Sequence, residues 1–207
     1  MTTEVPESSP AAGRPRDPVL EQAILDATVD VVVENGFAAA KLDEIARRAG
    51  TGKAAIYRRW AGKTELVIAA AQNLQADVAV PDKGSLREDL LVCVRHYISP
   101  NARTALVLAN VLAAMPRDRE LRDAAGASIG RPAADALRVV IERWVGRGAV
   151  DPSVPVDLLA SLVPAVAFHR VALRHEGLDE TSAVAMVDNV LLPALAASQL
   201  GTATIHH

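Results

Sequence analysis

LDEIARRAGTGKAAIYRRWAGK, running from Leu42 to Lys63, is the stretch that decides how the rest of the chain is read. Leu42, Ile45, Ala46 and Ala49 recur at i, i+3, i+4 and i+7, the spacing of one buried stripe on a short amphipathic helix. Gly50-Thr51-Gly52 then offers positive φ to a tight turn and ends that helix. A second short helix begins near Lys53, with Ile56 and Trp60 on one side and Lys53, Ala54, Tyr57 and Arg58 grouped on another. Two short helices joined by a glycine turn make a helix-turn-helix.

The second helix carries cations and a phenol, suited to phosphates and base edges, while Ala54 and Ala55 are small enough to let it sink into a major groove. From Lys41 to Glu65 there are seven Lys or Arg (Lys41, Arg47, Arg48, Lys53, Arg58, Arg59, Lys63) against three acids, whereas the whole chain has a net charge of −3. Positive charge gathered on one element of an otherwise acidic protein is the electrostatic footprint of a DNA contact. By pattern alone, the helix pair also fits an all-α ligand-binding or enzymatic domain in which it is incidental.

Gly36-Phe37, Leu42-Asp43-Glu44-Ile45-Ala46 with Ala49-Gly50, Lys53-Ala54-Ala55-Ile56-Tyr57 with Trp60, and Lys63 with Leu66 together resemble the N-terminal domain of the tetracycline-repressor (TetR) family of bacterial transcription regulators. The resemblance runs from about Asp17 to Asp77. It implies DNA contacts from Lys53, Tyr57 and Arg58, close approach at Ala54 and Ala55, and a phosphate held by Lys63 at a helix N-terminus. Two positions depart from the family pattern. Ala40-Lys41 stands where a capping Thr or Ser is usual, leaving Lys41 to offer a charge instead, and Gly52 replaces a common serine, leaving Thr51 as the nearest hydroxyl. Upstream, Arg14 and Arg16 in a Pro-rich arm read either as solvated tail residues or as a basic arm touching DNA, the second being what the resemblance implies.

Half of the chain is hydrophobic but only 3% aromatic, so its core is expected from Ala, Val and Leu in helices. A lone cysteine, Cys93, excludes an internal disulfide and a zinc framework and fits a reducing cytoplasm. The wholly apolar run Leu162 to Phe168 contains a proline and is far shorter than a bilayer needs, so no membrane span is expected. The acidic, then Pro-rich, start lacks the pattern of a signal peptide. No nucleophile elbow, P-loop or dinucleotide motif is present, and His96, His169, His175 and the terminal His206-His207 pair lack zinc-ligand spacing with one another. Neither enzyme nor cofactor is expected.

The expected architecture is all-α: a disordered arm over 1–16, the helix-turn-helix domain over 17–77, and a helical regulatory and dimerisation domain over 78–207. Within the first domain, Pro18 to Glu34 reads as a helix stopped by Asn35-Gly36, Phe37, Ile45, Ile56 and Trp60 as its core, and Lys63 to about Val78 as the connecting helix. Ser85-Leu86-Arg87-Glu88 reads as a capping box, and Gly126 and Gly130 as a loosening of the chain. Two late helices, about 156–175 and 180–200, are apolar on nearly every face and are expected to be bent by Pro164 and Pro193. They are expected to pack against their symmetry mates in a homodimer. Candidate ligand contacts are His96, Asn110 and His169 as polar groups on apolar helices, with Trp144 and Phe168 as walls. The functional expectation is a cytoplasmic homodimeric repressor, released from a palindromic double-stranded operator by a small-molecule effector and having no membrane partner.

Overall fold

The computed structural model describes residues 17–75, 77–98 and 101–196, and helices form all of its regular structure apart from one parallel bridge between Ile98 and Leu178. Arg14 and Arg16 lie outside the described residues.

Helix α1, Pro18–Ala39, starts where Asp17 Oδ1 accepts the N–H groups of Val19 (3.0 Å) and Leu20 (3.4 Å), with proline in the first turn. Gly36 breaks it at φ 74, ψ 164, and Phe37 to Ala39 form a separate last turn. Helices α2 (Leu42–Arg48) and α3 (Lys53–Tyr57) pack beneath it, and Phe37, Ile45, Ile56 and Trp60 are all buried, as their apolar spacing predicts. More of α1 is buried than one stripe allows: Ile24, Leu25, Ala27, Thr28, Val29, Val31 and Val32. Several elements share it as a packing partner, namely α2, α4 (Lys63–Asn73) and α6 (Ala102–Ala114). Helix α4 stops short of the expected Val78, because Leu74 and Gln75 donate to Ala71 and Gln72 in tight three-residue turns.

Beyond the linker, α5 (Leu86–Arg95) begins at Ser85, whose Oγ accepts the Glu88 N–H at 3.2 Å. The buried Asp89 carboxylate receives Lys83 N–H (2.6 Å), Arg143 Nη2 (2.8 Å) and Trp144 Nε1 (2.9 Å), which pins the linker and α5 to α8, Arg131–Gly146. A buried charge is tolerated only with such partners.

Gly126 and Gly130 do not loosen the chain. Helix α7, Arg119–Ala125, continues through a π turn, Gly126–Gly130, directly into α8, and a second π turn, Val187–Leu191, joins α10 (Glu180–Met186) to α11 (Leu192–Ala196). Each π turn ends two residues before a proline: Arg131 N–H donates to Gly126 and Leu192 N–H to Val187, ahead of Pro132 and Pro193. Proline collides with the carbonyl four residues back and offers that carbonyl no N–H, so a locally widened turn lets the helix pass. At Pro132 that carbonyl belongs to Ser128, and Gln72 Nε2 from α4 donates to it at 2.9 Å.

Two apolar cores result. One joins α1 to α4 with α6, α7 and Ile129; the other joins α5, α8, α9 (Val156–Arg174) and α10–α11. Helix α9 is long and apolar enough by length and composition to cross a membrane, with a mean hydropathy of 1.6, a test that core helices also pass. In the fold it is a core helix that runs uninterrupted through Pro164, burying Leu159, Val163, Ala167 and Val171.

Candidate DNA-binding interface

The turn between α2 and α3 uses one of its two glycines as a glycine. Gly50 has φ 65, while Gly52, at φ −98, is the extended residue before α3 and leaves the N-terminus of α3 without a side-chain cap. Thr51 N–H closes the turn on Ala46 O at 2.9 Å, and Thr51 is half-buried. With only five residues, α3 divides sharply. Lys53, Ala54, Tyr57 and Arg58 face outward, with Tyr57 54% exposed, whereas Ala55 and Ile56 face inward. Ala55 therefore does not serve as the close-approach position the sequence suggested. It is buried at 5%, because it shares the inward side of α3 with Ile56 and Trp60. Ala54 remains as the small residue on the outer face.

The charges around α3 are held in register by partners. Lys53 Nζ lies 2.9 Å from Asp43 Oδ1, and this contact raises the ammonium's pKa. Glu44 bridges Arg47 and Arg48, hydrogen bonds that pull its carboxyl down to about 2, and Arg48 also grips Glu34 of α1. Lys41, at the entrance of α2, is exposed and makes no side-chain cap. Arg59 turns inward, donating to Ala55 O at 3.1 Å and standing 3.7 Å from Glu21. Lys63 has a structural task that sequence reading missed. Its Nζ donates to Phe37 O (3.0 Å) and Ala38 O (3.2 Å) and sits 4.4 Å above the Phe37 ring, tying α4 to the last turn of α1. An ammonium has three N–H groups, so one is left over for a phosphate.

In the second domain the structure brings together two of the five candidate ligand contacts. His96 and Phe168 line a narrow apolar cleft under the π turn, with Tyr97, Thr104, Leu108 and Ile129. Asn110 instead donates to Leu106 O and lines a groove against the helix-turn-helix domain, where a Cβ on Gly36 would meet its Oδ1 at 3.4 Å. Trp144 is occupied by Asp89 and by the Arg147 guanidinium 4.8 Å over its ring, and His169 is exposed on α9. Tyr97, which also lines the cleft, was missed in the sequence, where it belongs to no motif. No group of His, Cys, Asp and Glu among the described residues could hold a metal.

A basic, outward-facing helix seated on a three-helix core defines a helix-turn-helix DNA-binding protein. The chain matches the family model for bacterial regulatory proteins of the tetR family over residues 24–70 and the tetracyclin repressor-like C-terminal domain over 80–190. It belongs to the TetR family of transcription regulators, which are DNA-binding factors and not enzymes. An uncharacterised HTH-type transcriptional regulator of Mycobacterium tuberculosis is 30% identical over 192 residues, spanning 90% of this chain and 95% of that one. A DNA-binding transcriptional repressor TetR of Mycobacteroides abscessus is 30% identical over 173 residues, 82% and 90% of the two chains. Among solved structures, a TetR-family regulator from Rhodococcus sp. superposes with a TM-score of 0.65 at 16% identity, covering 86% of this chain and 100% of that one, a likeness of fold.

Proposed function

We propose that this chain is a cytoplasmic homodimeric repressor whose paired α3 helices enter successive major grooves of a palindromic operator and leave it when a small molecule binds the second domain. The outward face of α3 carries the reading: Lys53, Tyr57 and Arg58 stand exposed around Ala54 on a helix otherwise buried. Lys41, Thr51, Gly52 and the last N–H of Lys63 are assigned to flanking phosphates, with Arg14 and Arg16 as an arm in the adjacent minor groove. Repression rather than activation is favoured by the M. abscessus relative, itself a repressor by name.

Dimerisation is supported by an unpartnered apolar face. Leu158 (59% exposed) and Leu173 (71%) stand out on α9 with Ala165 and Ala172, and Val190 (41%) on the second π turn. A second copy would cover this face and set the two heads for half-sites about 34–36 Å apart. The experiment is selection of duplexes from a random library followed by fluorescence anisotropy across salt. A palindrome whose affinity falls steeply with salt is expected; a failure to enrich any palindrome, or a flat salt response, breaks the reading.

A further inference from the structure

Leu108, Ile129 and Phe168 line two small chambers at once, one running toward Tyr97 and Thr104, the other toward the π-turn glycines Gly126 and Gly130. The chambers are therefore halves of one cleft parted by these three side chains. Among the described residues no Asp, Glu, Lys or Arg lines either half, so a charged group entering it would lose its water with no counter-charge from them. Tyr97 is a lining residue that brings a polar atom to the cleft. Tyr97 Oη is buried and has no hydrogen-bond partner among the described residues, a condition native interiors rarely leave uncorrected. Its ring is fixed edge-on to His96 (centroids 5.4 Å apart) and to Phe168 (6.4 Å). Burial pushes the phenol's pKa up, so at neutral pH it keeps its proton and donates. The glycines leave the far wall without side chains, and a methyl added at either meets nothing within 4 Å.

We propose that this cleft takes an uncharged, mainly apolar compound bearing one acceptor oxygen, which Tyr97 Oη meets as hydrogen-bond donor while Phe168 turns aside to join the two chambers. The inference rests on reading the second domain as ligand-binding and deepens it by naming the ligand's class.

Three small probes of like size separate the terms: 4-fluoroacetophenone, 4-fluoroethylbenzene and 4-fluorobenzoate, titrated into the full chain by fluorine NMR. The ketone is expected to bind about ten-fold tighter than the hydrocarbon, the worth of one hydrogen bond, with benzoate weakest. Tyr97→Phe should bring ketone and hydrocarbon within about two-fold while leaving hydrocarbon binding in place. Gly126→Ala, which adds one methyl to the far chamber, should weaken all three. Equal affinities in the wild type, a ketone preference that survives Tyr97→Phe, benzoate as the tightest probe, or no binding by any of them would each overturn the assignment. None of these titrations contains DNA. A chain that binds the ketone yet selects no operator sinks the repressor reading alone, and one that selects an operator yet ignores the ketone sinks this one alone.

Discussion

The outward faces of α3 and α9 differ in their large side chains, and the difference suits them to different partners. On α3 the exposed positions are Lys53, Ala54, Tyr57 and Arg58; on α9 they include Leu158, Ala165, Ala172 and Leu173. A cationic, phenolic face is stable in water alone and gains when a polyanion replaces counterions. An apolar face of large side chains gains only when water is removed by another apolar surface. The first suits an encounter made and broken as DNA is bound and released. The second suits a permanent one.

The largest test of that contrast falls on α9. Leu158→Glu with Leu173→Glu places charges where a second copy would exclude water, and should leave a folded monomer by sedimentation. Operator affinity should then drop by about 100-fold or more, since one head loses the tethered help of the other. A double variant that remains a dimer shows that this face is not the interface. Next in size is Tyr57→Ala. It removes the one ring on the outer face of α3 and touches no core residue, so helicity and melting temperature should hold. Operator affinity should fall roughly 10- to 100-fold, the worth of a good base contact, measured by anisotropy. Unchanged binding takes Tyr57 off the interface.

Gly36 lies where the helix-turn-helix domain meets α6. Its φ of 74 and ψ of 164 lie in a region essentially reserved for glycine, and an added Cβ would sit 3.4 Å from Asn110 Oδ1 of α6. Gly36→Ala should cost about 1–3 kcal/mol and lower the melting temperature by a few degrees per kcal/mol, read by calorimetry. If the melting temperature does not move, the break in α1 is not held by its neighbours.

The contrast also sets what was legible in the sequence. The DNA-binding domain could be read because its parts are local: Gly50 stops α2, and the apolar spacing predicts the burial of Ile45, Ile56 and Trp60. Ala55 was misplaced because alanine is equally at home on either side of a helix, so its type says nothing about facing. The task of Lys63 was hidden for another reason, as its acceptors, the carbonyls of Phe37 and Ala38, have no side-chain signature. The second domain was less readable because its contacts are long-range. Trp144 looked like a pocket wall until Asp89, 55 positions away, was found holding its Nε1. The π turns could not be read from Gly126 and Gly130 either. Each lies just ahead of a proline, and a helix that widens ahead of a proline has the same residue types as one that breaks.

The smallest effect asks whether the α3 face is available as it stands. Lys53 Nζ rests 2.9 Å from Asp43 Oδ1 with both side chains largely in water, so the pair holds the ammonium in place without binding it tightly. Binding DNA requires Lys53 to exchange that carboxylate for a phosphate, and Asp43 would meanwhile stand as a negative charge facing the duplex. Asp43→Asn removes the repulsion and the competitor at once and keeps the side chain's shape. Operator affinity should rise by roughly two- to five-fold at low salt, with the gain shrinking as salt screens the charges. The comparison variant is Asp157→Asn in the first turn of α9, an exposed acid on the apolar helix, which should leave operator affinity unchanged. Equal gains from the two variants would mean that net charge alone steers this protein to DNA. A gain confined to Asp43→Asn ties the effect to the Lys53 position on α3.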